Sequence, residues 1–210
     1  MCYDIQTSLI ALFINIVTSI YLYQSTNKQL QVIALFFLFV GFMQFWDAIF
    51  WTYDTSTTIN IYSTKMAMIW NHLEPIVLAL LIPMIMKTQL SVPSKLIVCV
   101  YTISIVIYSI YGWNTLKGTG QTNQTCGSLY WQWNNMKGSS IVYSLFLVCL
   151  VVLAYQFTGW IRVLCISLTL LSFFFSVYKY RISYSTGRFW CYFASFSSFF
   201  FIIGDKVFRK

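Results

Sequence analysis

The chain has 210 residues, of which 59% are hydrophobic and only 9% charged, where an ordinary soluble domain carries roughly 25% charged residues. Too little polar surface is left to cover a water-soluble fold. The net charge of +8 comes from 13 basic residues against five acidic ones, but these are spread singly over the connections without aromatic interleaving, which argues against nucleic acid and for anionic lipid headgroups.

The apolar residues fall into blocks near the ~20 residues needed to cross a hydrocarbon core. The breaks between blocks hold nearly all the Lys, Asn, Gly and Pro. Such a pattern reads as an all-α polytopic membrane protein, one bundle of seven transmembrane helices over residues 1–210. The first apolar block opens almost at residue 1, with no basic region before it and no small-residue cleavage site after it, so it reads as a permanent span.

Helix one is expected over 5–23, opening near Asp4, whose charge suits the positive end of the helix dipole, and carrying Asn15 as its polar exception. A polar turn at 24–28 leads to helix two over 29–51, with Gln44 and Asp47 near its far end and Trp46 and Trp51 flanking the acid. The polar, β-branched stretch 53–60 reads as a loop. Helix three follows over 62–86 and contains Asn71, His72, Glu74 and Pro75. Pro75 lacks a backbone donor, so a kink is expected there, with the carbonyl near Asn71 released. A turn at 91–94 has Pro93 ending one helix and Ser94 placed to cap helix four, over 95–111. The longest polar interval, 112–138, contains Trp113, Trp131 and Trp133 and reads as an extramembrane loop lying on the interfacial aromatic belt. Helix five over 140–157, helix six over 160–180 and helix seven over 188–203 complete the set. Helices five and six are so closely spaced that a re-entrant pair is the main alternative to seven spans. There is no internal repeat of the transporter kind.

With the N-terminus outside, seven basic residues fall on the cytoplasmic side (Lys28, Lys87, Lys95, Arg162, Lys206, Arg209, Lys210) and six outside, so the positive-inside rule barely discriminates. Two features favour that orientation. Asn123-Gln124-Thr125 is a glycosylation acceptor sequon, and it is extracytoplasmic only if the N-terminus is. Cys2, Cys126 and Cys191 would then all lie at the outer face, where one disulfide among them is expected, while Cys99, Cys149 and Cys165 lie within helices and behave as small hydrophobes.

Several landmarks spread over the chain carry a resemblance: the Met1-Cys2-Tyr3 start, Met43-Gln44-x-x-Asp47 with Trp51, Asn60, Glu74-Pro75, Trp131-x-Trp133 and Trp190-Cys191. They resemble an uncharacterised seven-helix membrane family, found in bacteria and large DNA viruses, which opens Met-Cys-Trp or Met-Cys-Tyr. That family carries an acidic residue late in helix two, Gln-Pro in helix three and Trp-Cys on helix seven. The resemblance implies a seven-helix architecture and no activity. Two departures stand out. The family's cysteine before the loop Asn is absent from Thr55 to Thr58, and its Gln before Pro is Glu74 here. If the family has two outer disulfides, this chain has lost one.

Other seven-helix chemistries lack their residues. Helix seven offers no mid-helix lysine for retinal, the chain has neither Asp-Arg-Tyr nor Asn-Pro-x-x-Tyr, and a single histidine cannot supply a zinc hydrolase. His72 and Glu74, two apart on a helix, make a poor chelating pair. No nucleophile with a matched base is visible, so an enzyme is not expected, and no cofactor or metal is called for.

An ionised carboxylate at mid-bilayer costs at least about 2.5–3.5 kcal/mol, so Glu74 should be neutral, paired or facing a wet cavity, with the protonated carboxyl as the default. Asp47, Asn71, His72 and Glu74, with Gln44 and Asn15 nearby, are therefore the candidate site. One reading is a polar column for a proton, a cation or a small polar ligand. The other is a non-catalytic membrane organiser or receptor-like protein in which these groups only fix helix packing. The runs Phe173–Phe175 and Phe199–Phe201 read as lipid-facing or packing surface.

Overall fold

The structure is a computed structural model that describes residues 4–53, 57–116, 131–180 and 186–208, with side chains for all of these but 134–135, 176–180 and 186–195. The helices in order are α1 (Ile5–Tyr23), α2 (Lys28–Gly41), α3 (Met43–Thr52), α4 (Thr58–Met86), α5 (Val92–Thr115), α6 (Ser139–Ala154), α7 (Gly159–Tyr180) and α8 (Thr186–Phe208). α2 and α3 are parted only by Phe42 and together form one apolar run, so the described chain makes seven helical runs and no strand. Four of them are long and apolar enough to cross a membrane: Ile5–Tyr23, Lys28–Thr52, Thr58–Met86 and Val92–Thr115.

Local chemistry sets the helix ends. Asp4 caps α1 by accepting from the Thr7 backbone N–H at 2.7 Å, and this hydrogen bond holds its carboxyl below the ordinary value. α4 begins earlier than the apolar pattern suggests, because the Thr57 hydroxyl caps it through the Asn60 N–H and draws Thr58–Asn60 into the helix. α5 is capped by Ser91, and not by Ser94 as the sequence suggested. Ser91 Oγ accepts from Ser94 N–H, and Pro93 occupies the first turn, where its missing donor costs nothing. α4 ends at Met86 on a left-handed cap, Lys87, well before Pro93.

The break inside the second run was not expected. Phe42 N–H is shared between the carbonyls of Leu38 and Phe39, and Phe45 N–H bonds to Phe42, a tightened turn that interrupts the helical ladder. Two neighbours hold this turn in place. Trp70 of α4 stacks on Phe39 at 4.4 Å and donates its indole N–H to the Phe39 carbonyl at 2.7 Å. Gly41 lies under Asn15 of α1 so closely that a Cβ there would sit 2.5 Å from Asn15 Oδ1 and 2.9 Å from Nδ2.

α4 is the central helix, packed against α2, α3, α5 and α6, while α1 and α8 close the bundle against α2. It runs without interruption through both Pro75 and Pro83. The main apolar core joins α2 and α4–α8 through residues such as Phe37, Ile82, Tyr101, Leu153, Phe157 and Phe201. A smaller cluster fills the end that carries the 53–57 connection, the tryptophan end, around Met43, Phe50, Ala67, Met68, Trp131 and Trp133. Trp131 and Trp133 are thus buried within the bundle instead of lying on an outer belt, because their rings stack on each other at 4.4 Å and Trp131 meets Phe50 edge-on. Phe174, Phe175, Phe199 and Phe200 are exposed on the outside of the bundle, whereas Phe201 turns into the core.

Candidate functional site

α4 buries an unusual face. Asn60, Ser63, Thr64, Ala67, Asn71, Glu74 and Leu78 recur at helical spacing and are all buried, so the stripe that an apolar helix would fill with Leu and Val is here largely polar. The six residues singled out from the sequence lie inside the protein: Asn15, Gln44, Asp47, Asn71, His72 and Glu74 are each no more than 2% exposed. Gln44, Asp47 and Glu74 each engage a neighbouring group.

The two carboxyls sit at different levels. The Asn60 amide donates to the carbonyls of Phe50 at 3.1 Å and Tyr53 at 3.2 Å, which aligns the start of α4 with the end of α3. Asp47 precedes Phe50 by three residues and Glu74 follows Asn60 by fourteen, so at the helical rise the two acids lie roughly 15–20 Å apart along the bundle. The Trp70–Phe39 contact gives the same spacing, since Asp47 and Glu74 lie on opposite sides of it. Asn71 and His72 fall between them.

His72 has a defined tautomer. Its Nδ1 is 2.6 Å from the Met68 carbonyl, and a carbonyl can only accept, so Nδ1 carries the proton. In the neutral ring Nε2 is then a bare acceptor, and it is buried with no hydrogen-bond partner among the described residues. The neighbouring Asn71 Nδ2 and, on α1, Asn15 Nδ2 are buried donors in the same condition. Asn15 Oδ1, by contrast, accepts from Ser19 at 3.3 Å. An orphaned buried polar atom costs about 1–3 kcal/mol, so these three atoms mark where water or a small polar molecule would be stabilised.

A set of tyrosines surrounds this level, and the sequence reading missed it. Tyr108 of α5 and Tyr143 of α6 each place a ring centroid 5.4 Å from that of His72. The Tyr101 hydroxyl donates to the His72 carbonyl at 2.7 Å and lies within electrostatic reach of Glu74 and Tyr143. The carbonyl it takes is that of His72, whereas the one that Pro75 deprives of its helical donor is that of Asn71. The available signal was the seven-residue spacing of Tyr101 and Tyr108 inside an apolar helix, which puts two hydroxyls on one buried face where each must find a partner.

Among the described residues no group of three His, Cys, Asp or Glu side chains converges on a metal site. An apolar cavity of about 30 Å³ lies elsewhere, among Ile33, Phe37, Leu78, Leu150, Leu168 and Phe201, and none of the six candidate residues lines it. Cys99, Cys149 and Cys165 are free. Cys2, Cys126, Asn123 and the Cys191 side chain, and with them the disulfide and glycosylation expectations, lie outside the described residues.

Fold and site together define an all-α protein with four helices of membrane-crossing length and a polar interior built on its central helix. Compared with protein-family models, curated proteins and solved structures, the chain finds no match.

Proposed function

We propose that the chain is a seven-span integral membrane protein, with the tryptophan end and N-terminus outside and the C-terminus cytoplasmic, whose interior is a hydrated polar column for a proton or small cation. The remaining helical runs join the four long apolar ones as spans, and the uncharacterised family that the landmarks resemble is offered as its kin on the same footing. The observation that carries the reading is the pair of orphaned atoms, His72 Nε2 and Asn71 Nδ2, buried between two carboxyls at different depths. In hydrocarbon such groups are costly unless a cavity supplies water, and ionisable residues inside spans are commonly part of ion or proton paths. Asp47 would receive the proton nearer the outer end, Asn71 and His72 would hold the intervening water, and Glu74 would take the proton at the deepest point.

A second reading has its own support. Asn60, Trp70 and Tyr101 each spend a side-chain donor on a backbone carbonyl of a neighbouring helix or turn, which is how interior polar groups fix helix packing. On that reading the protein organises partners or lipid and moves nothing.

Proteoliposomes loaded with a pH-sensitive dye separate the two. Proton flux that is abolished by Asp47→Asn or Glu74→Gln supports the column. No flux at either acidic or alkaline pH, in wild type and in Trp133→Ala, Tyr108→Phe and Tyr143→Phe alike, refutes proton passage and leaves packing as the role of these groups.

A further inference from the structure

Residues 131–133 belong to a connection, and connections normally lie on the surface because their backbone groups need water. Yet Trp133 is only 1% exposed. Its backbone carbonyl accepts the Tyr108 hydroxyl, and its indole N–H donates to the Tyr143 hydroxyl at 3.1 Å. These are the same two tyrosines whose rings flank His72. Each therefore packs its ring beside the His72 imidazole and holds the connection with its hydroxyl. The packing around Trp133, including Ala67 and Met68, lies one turn from His72 toward the tryptophan end.

Resting on the reading of the interior as a hydrated column, we propose that Trp133 is the stopper of that column: seated on Tyr108 and Tyr143 it seals the outer mouth above His72, and leaving that seat opens the path. The seat is suited to release. The segment is a short 3-10 turn, Gln132–Asn135, a form with poor intrinsic stability, so beyond the Met136 N–H to Trp133 carbonyl bond and a contact of Gln132 its position rests on the two tyrosine hydroxyls and on aromatic packing. Removing either hydroxyl weakens the seal without touching the residues assigned to the column.

His72 is the only histidine in the chain, so diethyl pyrocarbonate, which acylates unprotonated imidazole nitrogen, reports on access to this point alone when the His72 peptide is followed by mass spectrometry. The full-length protein in lipid nanodiscs is the sample. Wild type is expected to react slowly. Tyr143→Phe and Tyr108→Phe should each react about tenfold faster, the factor by which one lost net hydrogen bond shifts a local opening equilibrium, and Trp133→Ala faster still. Equal rates in wild type and all three variants would overturn the proposal. If thermal unfolding shows that Trp133→Ala does not fold, the two Tyr→Phe variants, each short of one oxygen atom, decide the matter. Faster acylation with no proton flux in any variant upholds the stopper and removes the column. Flux with His72 already as reactive in wild type as in the variants upholds the column and removes the stopper.

Discussion

Gly41→Ala probes the contact that shapes the break in the second helical run. A methyl group on Gly41 would fall on the Asn15 carboxamide, with Oδ1 at 2.5 Å and Nδ2 at 2.9 Å, well inside contact distance. Asn15 is fully buried, with Gly41 packed beneath it, so it has little room to retreat and either α1 or the turn must shift. Overpacking of this kind costs about 1–3 kcal/mol. Against that stands the gain in helix propensity from Gly to Ala, at most about 1 kcal/mol and less at a helix end. The net expectation for Gly41→Ala alone is a loss of about 1–2 kcal/mol. In an Asn15→Ala background the obstacle is gone and only the propensity remains, so the same substitution should become neutral or stabilising. Asn15→Ala itself removes a buried donor that has no partner among the described residues but also breaks the long Ser19–Asn15 hydrogen bond, so it should cost about 1 kcal/mol. Equilibrium unfolding in bicelles of the four members of this double-mutant cycle gives the coupling, expected at about 1–3 kcal/mol. Equal effects of Gly41→Ala in both backgrounds, or a stabilised single variant, would show that Asn15 does not press on Gly41 and refute the reasoning.

Asn60→Ala removes both donations to the carbonyls of Phe50 and Tyr53 and orphans at least one buried acceptor, so a loss of about 2–3 kcal/mol is expected in the same unfolding assay. An unchanged midpoint would mean that the α3–α4 connection is held by something else. Lys87 is the only non-glycine residue in left-handed conformation among the described residues, at φ 58°. Lys87→Gly should therefore raise stability by up to about 1 kcal/mol, and a drop would show that the lysine's charge at the helix C-terminus outweighs the backbone relief. Tyr101→Phe leaves the ring in place but removes the hydroxyl that donates to the His72 carbonyl, with an expected loss of about 1 kcal/mol on thermal unfolding.

The helices were legible because the blocks are apolar and the breaks polar, a contrast that needs no tertiary knowledge. The interruption at Phe42 was not. Gly41 sits within an unbroken apolar run, and what holds the turn there is a tryptophan on α4, bonded 31 residues back to Phe39, together with an asparagine on another helix. The same limit hid the inward position of Trp131 and Trp133, since an aromatic belt and a buried aromatic cluster look alike until their neighbours are known. The burial of Asn15, Gln44, Asp47, Asn71, His72 and Glu74 agrees with the expectation that polar groups in apolar helices turn inward. Their order in depth, Asp47 outermost and Glu74 deepest with Asn71 and His72 between, is legible from two antiparallel helices alone, and the Asn60 hydrogen bonds add the register that sets the distance between the two levels. Tyr101, Tyr108 and Tyr143 went unremarked because tyrosine is common at membrane interfaces, and sequence alone does not give the depth at which a ring sits.

The central claim is that water occupies the interior beside His72. Because the chain has one histidine, selective ¹⁵N-histidine labelling gives a single imidazole, and water-edited solid-state NMR in lipid bilayers measures whether mobile water contacts it. A hydrated column predicts an Nδ1-protonated neutral ring that receives magnetisation from water within short mixing times, in wild type and Tyr143→Phe alike. A neutral ring that receives none, with build-up as slow as that of the apolar core, would contradict it and leave the buried polar groups as packing alone.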